Sequence, residues 1–258
     1  MTIKTATEKR IHLKDIMLSC GCTPVPGVYD ALGAKLAQSA GFDAIYLGSF
    51  STAVSVIGEP DVGSVTMTEM VSHVRNVANS VDTPLIVDVE NGFSHAAHIW
   101  RTVQEMELAG AAAIRIEDHE FGKHTKLPPV ILEVNKMCNK IKAAVQARKD
   151  PNMLIIARTD VAWAHKDPKE MRDAVNGPVI VPGSEESSVA QETEKGLNIS
   201  LYWPMLLNAS FVAMREALAA FKKSGNYASL GKYVVPENEL NRYIGYDEYL
   251  DRAETYLL

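Results

Sequence analysis

The sequence predicts an α/β fold, a parallel (β/α) barrel of the TIM type, on three observations. Short apolar runs, each too short for a helix, recur along the chain with helix-length segments between them. Three of these runs close in polar groups: Leu85-Ile86-Val87 leads into Asp88 and Glu90, Ala112–Ile116 into Glu117 and Asp118, and Met153–Ala157 into Arg158, Thr159 and Asp160. Polar groups gathered at the C-terminal ends of successive buried strands are how a parallel barrel builds an active site. Finally, 258 residues match the roughly 250 of a one-domain barrel.

Taken in order, residues 8–19 form a short helix that closes one end of the core. Val25–Asp30 is the first strand, and Ala31–Ala40 a helix ended by Gly41, which can take a left-handed cap. Ala44–Gly48 is the second strand. Behind it, the small-residue turn Ser49-Phe50-Ser51 exposes backbone N–H groups that could hold an anion. Residues 52–66 lack a helical period and carry Gly58, Pro60 and Gly63, so a long loop is expected there. Thr68–Ser80 is helical, capped by Thr66 or Thr68. The third strand opens at Pro84, His95–Ala109 is a helix ending at Gly110, and the fourth strand ends at Glu117-Asp118. Val130–Arg148 is a helix and Met153–Asp160 the fifth strand.

Only 18 residues then separate Asp160 from the next strand, Val179–Gly183, room for one helix and no more. A helix near Ser187–Lys195, a strand at Ile199–Trp203 and a helix over Leu206–Lys223 follow. That makes seven strands where a closed parallel barrel has eight. The tail from Asn241 to Leu258 is a Tyr-rich amphipathic helix with no strand left to cover. A partner subunit is a plausible surface for it.

Several function classes are disfavoured. A net charge of −6 without a basic stripe argues against nucleic-acid binding. No apolar run approaches the roughly 20 residues of a membrane span, and the polar N-terminus lacks the core of a secretory signal. Cys20, Cys22 and Cys138 are an odd count without zinc-type spacing, which fits reduced thiols in a cytoplasmic protein.

The chemistry concentrates at the third strand. A period of two puts Asp88 and Glu90 on one side. Paired carboxylates at a buried strand end need a counter-charge, and a hard divalent cation such as Mg2+ supplies one. A solvated edge strand is the alternative. His95 and His98, three apart, lack a local third ligand and fit a solvated helix face.

At this point the motifs become familiar. Pro26-Gly-Val-Tyr-Asp-Ala-Leu-Gly, Ala40-Gly-Phe-Asp-Ala-Ile-Tyr-Leu, Pro60-Asp-Val-Gly, Asp88-Val-Glu-Asn-Gly-Phe, Ile116-Glu-Asp, Phe121-Gly-Lys and Ala157-Arg-Thr-Asp resemble the isocitrate lyase/phosphoenolpyruvate mutase superfamily over about residues 24–163. Ile244-Gly-Tyr-Asp-Glu-Tyr resembles the family's tail. The resemblance implies a single barrel domain over residues 1–258, modified by loss of the sixth strand. It also implies that residues 236–258 form a C-terminal helix exchanged between subunits of a homodimer or homotetramer.

The resemblance further implies a metal shell of Asp88, Glu90 and Glu117 for Mg2+, with Mn2+ as the other admissible ion. Tyr46, Gly48, Ser49, Phe50, Asp61 and Arg158 fall on substrate-binding positions for a small 2-oxo or 2-hydroxy carboxylate. Lys123, His124, Thr125 and Arg158 fall on catalytic ones. The expected activity is cleavage of a C–C bond next to a carboxylate through an enolate, in the manner of methylisocitrate lyase or oxaloacetate decarboxylase. A C–P mutase or hydrolase and a degenerate binding homologue are the alternatives. Three departures from the family stand out: Glu90 replaces an aspartate, Asn91 a threonine, and Thr125 the cysteine that serves as acid in the C–C lyases. Threonine is too weak an acid for that role, and His124 beside it can titrate near neutral pH.

Overall fold

The computed structural model describes residues 4–120, 130–160 and 177–257. The chain divides into two compact units, Met1–Pro204 and Met205–Leu258. The first holds a seven-stranded, all-parallel sheet: β1 (Thr23–Val28), β2 (Ile45–Leu47), β3 (Leu85–Asp88), β4 (Ala113–Glu117), β5 (Leu154–Arg158), β6 (Ile180–Pro182) and β7 (Ile199–Tyr202). Their order is β5-β4-β3-β2-β1-β7-β6, so the chain winds outward from β1 to β5 on one side and returns through β7 to β6 on the other. These are the seven strands the apolar runs predict, arranged as a half-barrel. Among the described residues the sheet ends at β5 on one side and β6 on the other, and residues 161–176, on which the expected loss of a strand falls, lie outside the described residues.

Strand alternation sorts the inner face. Val25, Tyr46, Ile86, Ala113, Ile199 and Leu201 join one buried cluster, with Leu154, Ile156 and Ile180 packed against it. Helix α1 (Ala6–Leu18) contributes Leu13, Ile16 and Met17 to that cluster and closes its lower end. Two cations on α1 fix this plug. Lys9 Nζ donates to the carbonyls of Ala78 and Val81, at 2.8 and 2.6 Å, and Arg10 donates to those of Glu107 and Ala111 and to Asp150. Both reach the C-terminal ends of helices α4 (Met67–Ala78) and α5 (Ile99–Ala109), where a positive charge meets the negative end of the helix dipole.

Between these elements lie α2 (Ala31–Ser39), the four-residue α3 (Ser49–Thr52), α6 (Val134–Ala147) and α7 (Val189–Glu194). The long loop expected over 52–66 is partly helical: α3 runs directly into a π-helix at Ala53–Ile57, closed by Gly58 in the left-handed region. The helix expected from His95 begins only at Ile99. His95 and His98 sit ahead of it with their rings 4.2 Å apart.

The second unit contains α8 (Met205–Ser224), a short 3-10 turn, α9 (Glu237–Ile244) and α10 (Tyr246–Leu257). The tail is thus two helices rather than one, because Gly245 adopts φ +78° and caps α9. Tyr246 and Tyr249 stack on α10, and both are exposed together with Leu250, Tyr256 and Leu257. Among the described residues no helix is long and apolar enough to cross a membrane.

Candidate active site

Above the apolar layer, the same inward-facing positions turn polar at the C-terminal ends of β3, β4 and β5. The register sets Asp88 opposite Arg115, and Glu117 opposite Arg158. On β4 the inward series reads Ala113, Arg115, Glu117, so one strand supplies the core, a cation and an acid in successive steps of two. Tyr46 on β2, whose ring lies in the core, lifts its hydroxyl into this layer.

Asp88 is buried at 2% exposure and fully engaged. Its Oδ2 accepts from Tyr46 Oη at 2.9 Å and Arg115 Nη2 at 2.6 Å, with Arg158 Nη1 at 3.6 Å, while Oδ1 accepts the Glu90 N–H at 2.9 Å. Arg115 also donates to Tyr46 Oη at 2.5 Å and lies over its ring, 4.9 Å from the centroid. Burial, reinforced by the Asp88 charge, pushes the Tyr46 phenol well above its usual range, so it stays a neutral hydrogen-bond donor.

A second knot joins Glu117, His119, Arg158 and Asp160. Glu117 pairs with Arg158 Nη1 at 3.0 Å through Oε2 and with His119 Nε2 at 3.0 Å through Oε1. Asp160 takes a two-pronged contact from Arg158, Nε to Oδ1 at 2.7 Å and Nη2 to Oδ2 at 3.0 Å, and its Oδ2 lies 3.1 Å from His119 Nε2. Burial alone would discharge the imidazole. The hydrogen bonds to Asp160 and Glu117 win, raising His119 to about 10, so it is an imidazolium at neutral pH. Burial likewise opposes the Asp160 charge, but His119 and Arg158 draw its pKa down to about 2.

The loop after β3 is locked by unusual backbone. Glu90 and Phe93 have φ of +51° and +58°, and Gly92 +85°. The strand alternation that predicts Asp88 and Glu90 on one side therefore stops at Asp88. Glu90 is still tied in, since its N–H reaches Asp88 and its carbonyl accepts the Glu117 N–H at 2.8 Å. A Cβ on Gly92 would collide with Ile99 Cδ1, and Thr102 Oγ1 holds the Gly92 carbonyl at 2.9 Å. Non-glycine residues in the left-handed region cost of order 1–3 kcal/mol and persist only where the surroundings impose them.

Of the positions read from the sequence, Tyr46, Asp88, Glu117 and Arg158 converge here, with Glu90 beside them. Gly48 precedes α3 and Ser49 starts it. Ser49 Oγ donates to Asp61 Oδ2 at 3.3 Å, which brings the Pro60-Asp61 loop to that segment, and Phe50 packs edge-on against Trp203. Lys123, His124 and Thr125 lie outside the described residues. Arg115 and His119 are not among the residues read from the sequence, and Asp160 is read there only as a polar strand end. Each stands two residues from a foreseen one, a spacing that marks them as candidates for the same face.

Two buried carboxylates and an imidazole form a set chemically suited to a divalent ion. One ligand atom each from Glu117, His119 and Asp160 lies within 4.8 Å of the others, and all three residues are buried. His95 and His98 are not part of any such cluster among the described residues.

The model of one protein family, phosphoenolpyruvate phosphomutase, matches residues 13–177. The 2,3-dimethylmalate lyase of Eubacterium barkeri is 37% identical over 150 residues, 57% of this chain and 52% of that protein. The oxaloacetate decarboxylase of Rhodopseudomonas palustris is 34% identical over 153 residues, 59% of this chain and 53% of that protein. The chain spans about half the length of these curated relatives. A crystal structure of 2,3-dimethylmalate lyase, a PEP mutase/isocitrate lyase superfamily member, superposes with a TM-score of 0.84 at 28% identity, covering 98% of this chain and 96% of that one.

Proposed function

Since the chain belongs to the phosphoenolpyruvate phosphomutase family, within the isocitrate lyase/PEP mutase superfamily, we propose that it is a metal-dependent lyase. It would cleave the C–C bond next to a carboxylate in a small 2-hydroxy or 2-oxo acid. The observation that carries this reading is the convergence of Asp88, Glu117 and Arg158 at the ends of three adjacent strands, beside Tyr46. Relatives named as a 2,3-dimethylmalate lyase and an oxaloacetate decarboxylase support it.

Breaking a bond adjacent to a 2-oxo carboxylate leaves an enolate, and a site for this chemistry must present positive charge where that charge develops. Arg158 is held by Glu117 and Asp160 at the mouth of the layer, ready to grip a carboxylate. Asp88, Glu90 and Glu117 would hold Mg2+, or Mn2+ in its place, and the ion when bound would polarise the substrate oxygens as a Lewis acid. Tyr46 donates to Asp88 and stays a neutral hydrogen-bond donor, so it fixes the position of the carboxylate. His124 would return the proton to carbon, and Gly48, Ser49 and Phe50 would bind the substrate carboxylate beside Asp61. The exposed Tyr246, Tyr249 and Tyr256 suit packing of the tail on a second copy of the chain.

The direct test is a screen of 2-hydroxy and 2-oxo diacids with Mg2+ or Mn2+, following 2-oxo acid release and decarboxylation. Turnover that vanishes in Arg158→Met and Glu117→Gln supports the reading. Turnover of a phosphonate instead, or none with any acid, overturns it.

A further inference from the structure

Two arginines face Asp88, and they differ in how fully their donors are used. Arg158 spends its Nε/Nη2 edge on both oxygens of Asp160, and its Nη1 meets Glu117 at 3.0 Å and Asp88 at 3.6 Å. Arg115 uses only half of the equivalent edge. Its Nη2 donates to Asp88 Oδ2 at 2.6 Å and to the Tyr46 hydroxyl, while its Nε is buried with no hydrogen-bond partner among the described residues. Native proteins rarely leave a buried donor without an acceptor, and such a donor calls for an explanation. The Arg115 side chain is 14% exposed against 3% for Asp88, so it is the more accessible member of the pair.

Charge leads to the same residue. An ion held by Asp88 must share that carboxylate with a cation already bonded to it. Like charges so close oppose each other, and a dication alone therefore enters this site weakly. An anion arriving with the ion restores the balance. Once an ion takes Asp88, Nη2 gives up that acceptor and Nε still lacks one. A substrate carboxylate supplies two oxygens in the geometry that the Nε/Nη2 edge matches, as Asp160 does for Arg158. We propose that Arg115 couples ion loading to substrate binding: it pairs with Asp88 in the empty site and passes to the substrate carboxylate when an ion takes Asp88. The proposal rests on the metal-dependent reading above and keeps its ligands Asp88, Glu90 and Glu117. Arg115 is thereby a specificity residue, selecting acids that bring a second negative charge to the ion.

The test measures binding rather than turnover. The intact chain is titrated with Mn2+ by continuous-wave EPR, alone, with oxalate, and with oxamate, in which an amide replaces one carboxylate. The expected result is weak binding of Mn2+ alone, tightened by oxalate within the roughly 5–150-fold range of coupled sites, and tightened less by oxamate. Oxalate titrated with and without Mn2+ returns the same factor. In Arg115→Met, Mn2+ alone binds about tenfold or more tighter, and oxalate adds correspondingly less. Arg115→Lys keeps the charge but not the fork, so Mn2+ alone binds as weakly as in the wild type while the oxalate factor falls. Near-UV circular dichroism checks the fold of each variant, and the lysine variant carries the test if the methionine one does not fold. Unchanged Mn2+ affinity in Arg115→Met, or an unchanged oxalate factor in Arg115→Lys, overturns this role for Arg115 and leaves the lyase reading standing. Wild type that binds no Mn2+ at millimolar concentration, even with oxalate, overturns both.

Discussion

Arg115→Met is the most informative single change for the fold of the site. Arg115 is the strand-register partner of Asp88, its Nη2 lies 2.6 Å from Oδ2, and the Asp88 side chain is only 3% exposed. Removing one member of a buried pair typically costs about 3–5 kcal/mol, because the other charge stays behind without its counter-ion. Asp88 keeps three partners here, the Tyr46 hydroxyl and the Glu90 N–H at 2.9 Å and Arg158 at 3.6 Å. The loss should therefore fall at the lower end, about 3 kcal/mol. At roughly 2–4 °C per kcal/mol for a chain of this size, the melting midpoint should drop by about 6–12 °C. Urea unfolding of wild type, Arg115→Met, Asp88→Asn and the double variant closes the cycle. The double variant should recover at least about 1 kcal/mol relative to the sum of the singles, since no lone charge remains. A loss below 1 kcal/mol in Arg115→Met, or strict additivity, would refute the idea that this pair anchors the polar layer.

Other expectations follow from the same geometry. Gly92→Ala should cost about 1 kcal/mol, the strain of a left-handed alanine, and crystallography of the variant should show the terminal methyl of Ile99 turned away from the new Cβ. Thr66→Ala removes the capping box that Thr66 shares with Glu69 and should lower stability by about 1 kcal/mol in urea titrations. Hydrogen bonds from Asn152, Arg10 and Thr7 outweigh burial and hold Asp150 at about 2, below the ordinary 3.8. A depressed carboxylate stabilises the fold above its unfolded pKa and loses that contribution as pH falls through the folded one. The wild type should thus lose stability between pH 4 and pH 2, by about 1 kcal/mol after solvent screening, and Arg10→Met should flatten that slope.

The strands were legible because a buried parallel strand is a short apolar run with no polar face to confuse it. The acids at their ends were legible for the same reason, as abrupt polar stops. The loop expected at 52–66 holds from Gly58 onwards, while Ala53–Ile57 is a π-helix, whose i to i+5 bonds do not produce the 3.6-residue period of an α-helix. Helix α5 begins later than its period predicts because the chain leaves β3 through Glu90 and Phe93, two non-glycine residues with positive φ, a conformation that tertiary bonds impose and no local propensity signals. Within the site, Asp88, Glu117 and Arg158 could be read one strand at a time. Arg115 could not, since its importance comes from lying opposite Asp88, a pairing set by strand register. His119 was missed because its two partners come from different segments, Glu117 nearby and Asp160 some forty residues later.

The central claim is a metal-assisted enolate site at the ends of β3, β4 and β5. Thermal unfolding of the full chain with Mg2+ or Mn2+, with and without oxalate as a stable enolate mimic, tests it most directly. A ligand that binds only the folded state raises the midpoint by mass action. The account predicts a clear rise with ion and oxalate together, larger than with either alone, and its loss in Glu117→Gln. An unchanged midpoint in the wild type, or the same rise in Glu117→Gln, would contradict it.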